Sequence, residues 1–160
     1  MAGRLLFLSF TMLLGGSLGS DAYEWAGIFR IPTGTKALTW KMQKVGTWFS
    51  TTYAKQSMKM VILPTTNCTE ANLHALEATG YPTHKISAKA DCTSTKNGDT
   101  MVPDFGKACF DLHVDHTVGT SKFKIDVTSV SCIAVFTEHD PEEFKANGHY
   151  LDAERVVDEL

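Results

Sequence analysis

The stretch Lys107-Ala108-Cys109-Phe110-Asp111-Leu112-His113-Val114-Asp115 decides the fold class. Ala108, Phe110, Leu112 and Val114 fall on one side of an extended chain. Lys107, Cys109, Asp111, His113 and Asp115 fall on the other, which is the two-residue period of a half-buried strand. Phe123, Ile125 and Val127 alternate with Lys122, Lys124 and Asp126 in the same manner, and Leu38, Trp40 and Met42 alternate with Thr39, Lys41 and Gln43. Cys132 to Phe136 is unbroken apolar sequence and reads as a central strand buried on both faces.

Working outward, Trp25 to Ile31 is a further apolar segment, stopped by Pro32-Thr33-Gly34. Trp48 to Tyr53 is rich in aromatic and Thr residues, and Met58 to Leu63 is closed by Pro64. Thr69 caps a short helix, Glu70 to Thr79, that turns Leu73 and Leu76 inward and stops at Gly80, with Pro82 barring its continuation. Ile86 to Cys92 and Thr100 to Val102 flank Lys96-Asn97-Gly98-Asp99, whose Asn-Gly pair suits a hairpin turn. Asp140, Pro141, Glu142 and Glu143 make a helix start, which Asn147-Gly148 ends after about two turns. Roughly eight short strands and one or two short helices predict a mainly β chain, a small antiparallel β-sandwich or barrel.

The N-terminus carries Arg4, the short apolar run Leu5 to Leu14, and then small residues through Ala22. This is the order of a cleaved signal peptide, with cleavage after Gly19 or Ala22, and the run is shorter than the roughly 20 residues a membrane-spanning helix needs. Residues 1–22 are therefore expected to be a signal peptide, and residues 23–160 a single β-rich domain with no transmembrane segment after cleavage. Cys68, Cys92, Cys109 and Cys132 all lie in that domain, an even count that predicts two disulfides in an oxidising compartment, with three pairings open. Asn67-Cys68-Thr69 is an acceptor pattern for N-glycosylation. The chain is expected to be secreted. The ending Val157-Asp158-Glu159-Leu160 resembles the retrieval signals of the endoplasmic reticulum lumen, with Val in place of the basic first residue, and makes that lumen the alternative.

The formal charge of −3, or −4 once Arg4 alone is removed, includes no basic stripe, which argues against a nucleic-acid partner. Within residues 23–160 no Gly-x-Ser-x-Gly elbow, phosphate-cradling glycine loop or Cys-x-x-Cys pair is present, so the expectation is a binding domain rather than an enzyme. His113 and Asp115 share a strand face, and His139 and His149 follow later. Imidazole and carboxylate suit zinc or copper, and these four residues are the candidate ligands of a divalent metal.

Gly46-Thr47-Trp48 resembles the Gly-x-Trp signature that opens the first strand of lipocalins. The resemblance covers three residues and implies a barrel that carries a small apolar ligand. The late Thr-Asp-Tyr motif of that family has only Thr128-Ser129-Val130 as counterpart, and a helix follows Leu63 where further hairpins belong. Trp25, Trp40, Trp48, Phe29, Phe49 and Tyr53 would line such a cavity or fill an ordinary core. A structural extracellular protein without a ligand is the third reading.

Overall fold

The computed structural model describes residues 22–47, 49–88, 91–146 and 149–159. The expected leader through position 21, Trp48, the Asn147-Gly148 stop and Leu160 lie outside the described residues. In chain order the strands are β1 (Trp25–Arg30), β2 (Ala37–Gln43), β3 (Val45–Thr47), β4 (Ser50–Thr52) and β5 (Ser57–Thr65). Two helices follow, α1 (Glu70–Ala78) and α2 (Tyr81–Ser87). Then come β6 (Thr93–Lys96), β7 (Thr100–Met101), β8 (Cys109–His113), β9 (Thr120–Asp126), β10 (Cys132–Thr137), a 3-10 turn over Pro141–Phe144, and β11 (Glu154–Glu159).

The chain is mainly β, as its alternation predicts. A six-stranded sheet in the order β11-β1-β10-β5-β8-β6 faces a three-stranded sheet in the order β2-β9-β7, and β3 and β4 form a separate hairpin. No barrel closes. The sheets make a sandwich because their strands alternate. Phe29, Met58, Met60, Ile62, Phe110, Leu112, Ile133 and Val135 turn from the large sheet toward Leu38, Trp40, Met42, Phe123 and Ile125 of the small one. The opposite face of the large sheet is apolar as well, and there Ala26, Ile28, Val61, Leu63, Ala134 and Phe136 pack against Leu73 of α1 and Ile86 of α2. The architecture therefore has three layers: helices, large sheet, small sheet.

Aromatic side chains fill the core. Trp25, Phe29, Trp40 and Tyr53 are all buried there, whereas Phe49 is 94% exposed. Trp25 lies over Gly27, where an added Cβ would come within 2.4 Å of the indole, so only glycine leaves room for the ring. Gly46 of the lipocalin-like triplet has a different explanation from the one the resemblance implies. Its φ is +147°, and a Cβ there would meet the Ser50 carbonyl oxygen at 2.2 Å, as the tight β3–β4 hairpin demands.

Four local expectations are corrected. Pro64 does not end β5, which continues to Thr65 with Pro64 opposite Ile133. The Ile62 amide donates toward β8, to the Ala108 carbonyl. Two residues on, the missing amide of Pro64 faces the same side, beyond the last β5–β8 pair, Val61 with Cys109. Helix α1 does stop before Pro82, but Pro82 opens a second helix rather than leading into a strand. Gly80, at φ +68°, ends α1, and Pro82 sits in the first turn of α2, where an amide hydrogen is dispensable. Ile86, read as strand, thereby becomes a buried helical residue. Lastly, Asn97-Gly98 forms its turn, with Gly98 at φ +95° and the Asp99 amide donating to the Lys96 carbonyl, but β6 and β7 do not pair with each other. β6 runs parallel to β8 in the large sheet and β7 parallel to β9 in the small one, so the turn carries the chain from one sheet to the other. The helix expected at Asp140 starts as read, the Asp140 carboxylate accepting from the Glu142 amide at 2.9 Å, but closes after one 3-10 turn.

Both disulfides are formed, Cys68–Cys132 and Cys92–Cys109. The first ties the entrance of α1 to the central strand β10, and the second ties the start of β6 to β8. Their sequence separations are 64 and 17 residues. On the loop-entropy relation these correspond to about 4 and about 3 kcal/mol of stabilisation. Urea unfolding of a Cys68→Ser/Cys132→Ser protein should therefore show a larger loss than that of Cys92→Ser/Cys109→Ser. Equal losses would contradict this ranking.

Candidate functional site

The four residues read as metal ligands do not gather into one group among the described residues. His113, the last residue of β8, is half exposed, and its Nε2 lies 3.2 Å from Oδ2 of Asp111, two residues earlier on the same face. The Oδ1 of Asp111 is buried without a hydrogen-bond partner. Across the sheet Lys59 stands opposite Asp111 but is drawn elsewhere, its Nζ donating to the Ile86 carbonyl at 2.8 Å and pairing with Glu138 at 3.6 Å. A polar row of Glu138, Lys59, Asp111 and His113 thus crosses the helix-side face of the large sheet beyond the end of α2.

Asp115 does not continue that row, because strand β8 ends at His113 and the chain turns toward β9. Its Oδ1 accepts from the Thr117 amide at 2.9 Å and the Thr117 hydroxyl at 2.6 Å, and its Oδ2 from the Asn97 side chain at 3.4 Å. Asn97 also receives the Lys122 amide, so Asp115 fastens the sheet-crossing turn to the β8–β9 corner. Asp126 repeats the device at the end of β9, accepting from the Thr128 amide and hydroxyl. These bonds from Thr117, helped by Asn97 and the neighbouring His116, hold the Asp115 carboxyl below its ordinary value, and Thr128 does the same for Asp126. His113 and Asp115 line one shallow recess of about 410 Å³ with Asn97 and the cation Lys96.

His139 lies on the loop after β10, its Nδ1 3.6 Å from Glu24. His149 is exposed between the 3-10 turn and β11. Among the described residues no three His, Cys, Asp or Glu side chains gather to hold a metal ion. Asn67 is exposed in the loop that enters α1. Its backbone carbonyl accepts from the Asn72 side chain, and the Thr69 hydroxyl caps the helix by accepting from the Asn72 amide.

His149 contributes instead to a cleft of about 360 Å³ that no local sequence pattern announced. The cleft opens where residues 141–146 and 149–153 lie against one side of the sandwich. Phe144 is buried there, the Lys41 amide donates to the Tyr150 carbonyl, and Leu151 bridges to Trp40. Phe29, Leu151 and Ala153 are its apolar wall, and Lys145, His149 and Arg155 bring nitrogen groups to it. Tyr150 packs edge-on to Trp25 at 5.8 Å and tilted against Trp40 at 5.1 Å, and its hydroxyl accepts from Arg155 Nη1 at 2.9 Å. Arg155 stands opposite Phe29 in the β1–β11 register, so ladder and aromatic core together fix the guanidinium above the cleft.

The lowered carboxyls set an acid-side dependence. A carboxyl whose folded pKa lies below its unfolded one contributes stability that is fully present above the unfolded value and fades as pH falls through the folded value. Asp115→Asn should lower the urea midpoint relative to the wild type at about pH 6, and that difference should shrink toward about pH 2. A difference independent of pH would leave the Thr117 bonds without an electrostatic role.

Comparisons with protein-family models, with curated proteins and with solved structures find no match for this chain.

Proposed function

We propose that this protein is a secreted or lumenal, non-enzymatic binding domain that takes a small ligand in the cleft lined by Phe29, Lys145, Leu151 and Arg155. The observation that carries the compartment is the closure of all four cysteines into two disulfides, a state favoured outside the reducing cytosol. Among the described residues no helix is long and apolar enough to cross a membrane, which is compatible with this reading. The exposed Asn67 supports glycosylation there. Secretion is favoured over retrieval, because Val157, Asp158 and Glu159 are paired with Ile28, Gly27 and Ala26 in the β1–β11 ladder. A receptor would have to peel this strand from the sheet before reading the tail.

Divalent-metal binding is the second reading, supported by one observation: the facing Asp111 and His113, with one Asp111 oxygen unpartnered. Two ligands hold zinc or copper weakly, so this reading expects a third ligand from a partner or from water.

Expression of the full chain with its own N-terminus in cultured animal cells tests the compartment. The expected result is protein in the medium, inert to thiol-alkylating reagents until reduced, and losing mass on treatment with an N-glycan-removing endoglycosidase unless Asn67→Gln is introduced. Cytosolic protein with four alkylatable thiols would overturn it. Zinc that raises the melting temperature of the wild type but not of His113→Ala would favour the metal reading, and no shift with zinc or copper would dismiss it.

A further inference from the structure

We propose that Asn97 is a site of spontaneous deamidation which the folded sheet-crossing turn holds intact, so that damage there marks chains in which this turn has opened. The sequence supplies the reactive pair. In Asn97-Gly98 the second residue has no side chain to hinder its amide nitrogen, and Asn97 is exposed to the water that the reaction consumes. The Gly98 nitrogen gives up its proton and attacks Cγ of the Asn97 side chain. The bond from Cγ to Nδ2 breaks, ammonia leaves carrying that proton, and a succinimide ring remains. Water then opens the ring at either carbonyl, leaving aspartate or isoaspartate.

The fold withholds each group that the reaction needs. The Gly98 amide, which would be the nucleophile, donates to the Lys122 carbonyl at 2.7 Å. The Asn97 side chain is held at both ends: Oδ1 accepts from the Lys122 amide at 2.8 Å, and Nδ2 donates to Oδ2 of Asp115 at 3.4 Å. The next residue is fixed as well, because the Asp99 carbonyl accepts from the Lys124 amide at 2.9 Å. Attack therefore requires several bonds between the turn and β9 to open together, which is a local unfolding event. The products do not suit the place the amide leaves. Either carboxylate lacks the Nδ2 donor and brings a second negative charge against Asp115. Isoaspartate also adds a backbone carbon to the short connection 97–99, whose ends are fixed in different sheets, Lys96 beside His113 and Thr100 beside Lys124. Deamidation thus loosens a junction between the two sheets.

The test incubates the disulfide-bonded protein in mildly alkaline buffer, native and in urea, and follows Asn97 by tryptic peptide mapping and by labelling with an isoaspartyl methyltransferase. Cleavage after Lys96 and Lys107 places Asn97 in one peptide, and the chain's other Asn-Gly pair, Asn147-Gly148, falls in a different one, between Lys145 and Arg155. The expected result is conversion of Asn97 that is slower in the native protein than in urea by about tenfold or more. Asp115→Ala, which removes the acceptor of Nδ2, should raise the native rate severalfold, with circular dichroism establishing that the variant is folded. Asn97→Asp should unfold at lower urea than the wild type. The double variant Asn97→Asp/Asp115→Asn, which exchanges donor and acceptor, should recover most of that loss. Equal rates at Asn97 in native protein and in urea would overturn the protection by the fold. An Asn97→Asp protein as stable as the wild type would overturn the loosening of the junction.

Discussion

Strand β10 sets the terms for the rest of the molecule. All six of its residues, from Cys132 to Thr137, are buried, so neither face can be left to water. A strand that is apolar on both sides needs a cover on each, and each cover must itself have an apolar stripe. The small sheet supplies one through Leu38, Trp40, Phe123 and Ile125, and the helices supply the other through Leu73 and Ile86. Laterally the strand needs hydrogen-bonding neighbours, and it takes β1 and β5. The disulfide from Cys132 to Cys68 then fixes the helical cover to the strand that requires it. Removing methylenes at Phe136 or Ile133 would disturb different interfaces, yet both lie on one short segment.

Period and burial were legible in the sequence; partnership was not. The alternation of Phe110, Leu112 and Val114 holds because it is a property of consecutive residues. The same holds for the Thr69 and Asp140 caps, which are contacts across two or three positions. The sequence around Asn97-Gly98 likewise reveals a turn, but whether the flanking strands pair depends on what lies beside them, here β8 and β9. Proline carries two opposite meanings, start and stop, and only the left-handed Gly80 just before it settles that Pro82 begins a helix.

The site residues divide along the same line. Grouping His113 with Asp115 assumed that the strand continues. Once it ends at His113 the parity rule lapses, and Thr117 and Asn97 claim the Asp115 carboxylate. Asp111, inside the strand, keeps the parity and is the acid that meets His113. The cleft was invisible for a different reason. Phe29 comes from the first strand, and Tyr150 and Arg155 from the far end of the described chain. Lys145 and Glu142 resemble an ordinary i,i+3 surface pair, and no periodicity links these residues until the β1–β11 ladder and residues 141–146 and 149–153 bring them together.

The position of β1 also dictates an order of events. Its two neighbours in the sheet, β10 and β11, are made more than three-quarters of the way along the described chain, so β1 has nothing to pair with while the middle of the protein is being synthesised. The sandwich cannot assemble in step with translation, and its dominance by distant pairings makes assembly slow once it begins. Cys68 emerges 64 residues ahead of Cys132. During that interval the loop at Asn67 lacks the bridge that anchors it in the finished fold. The topology itself makes closure of the fold a late event.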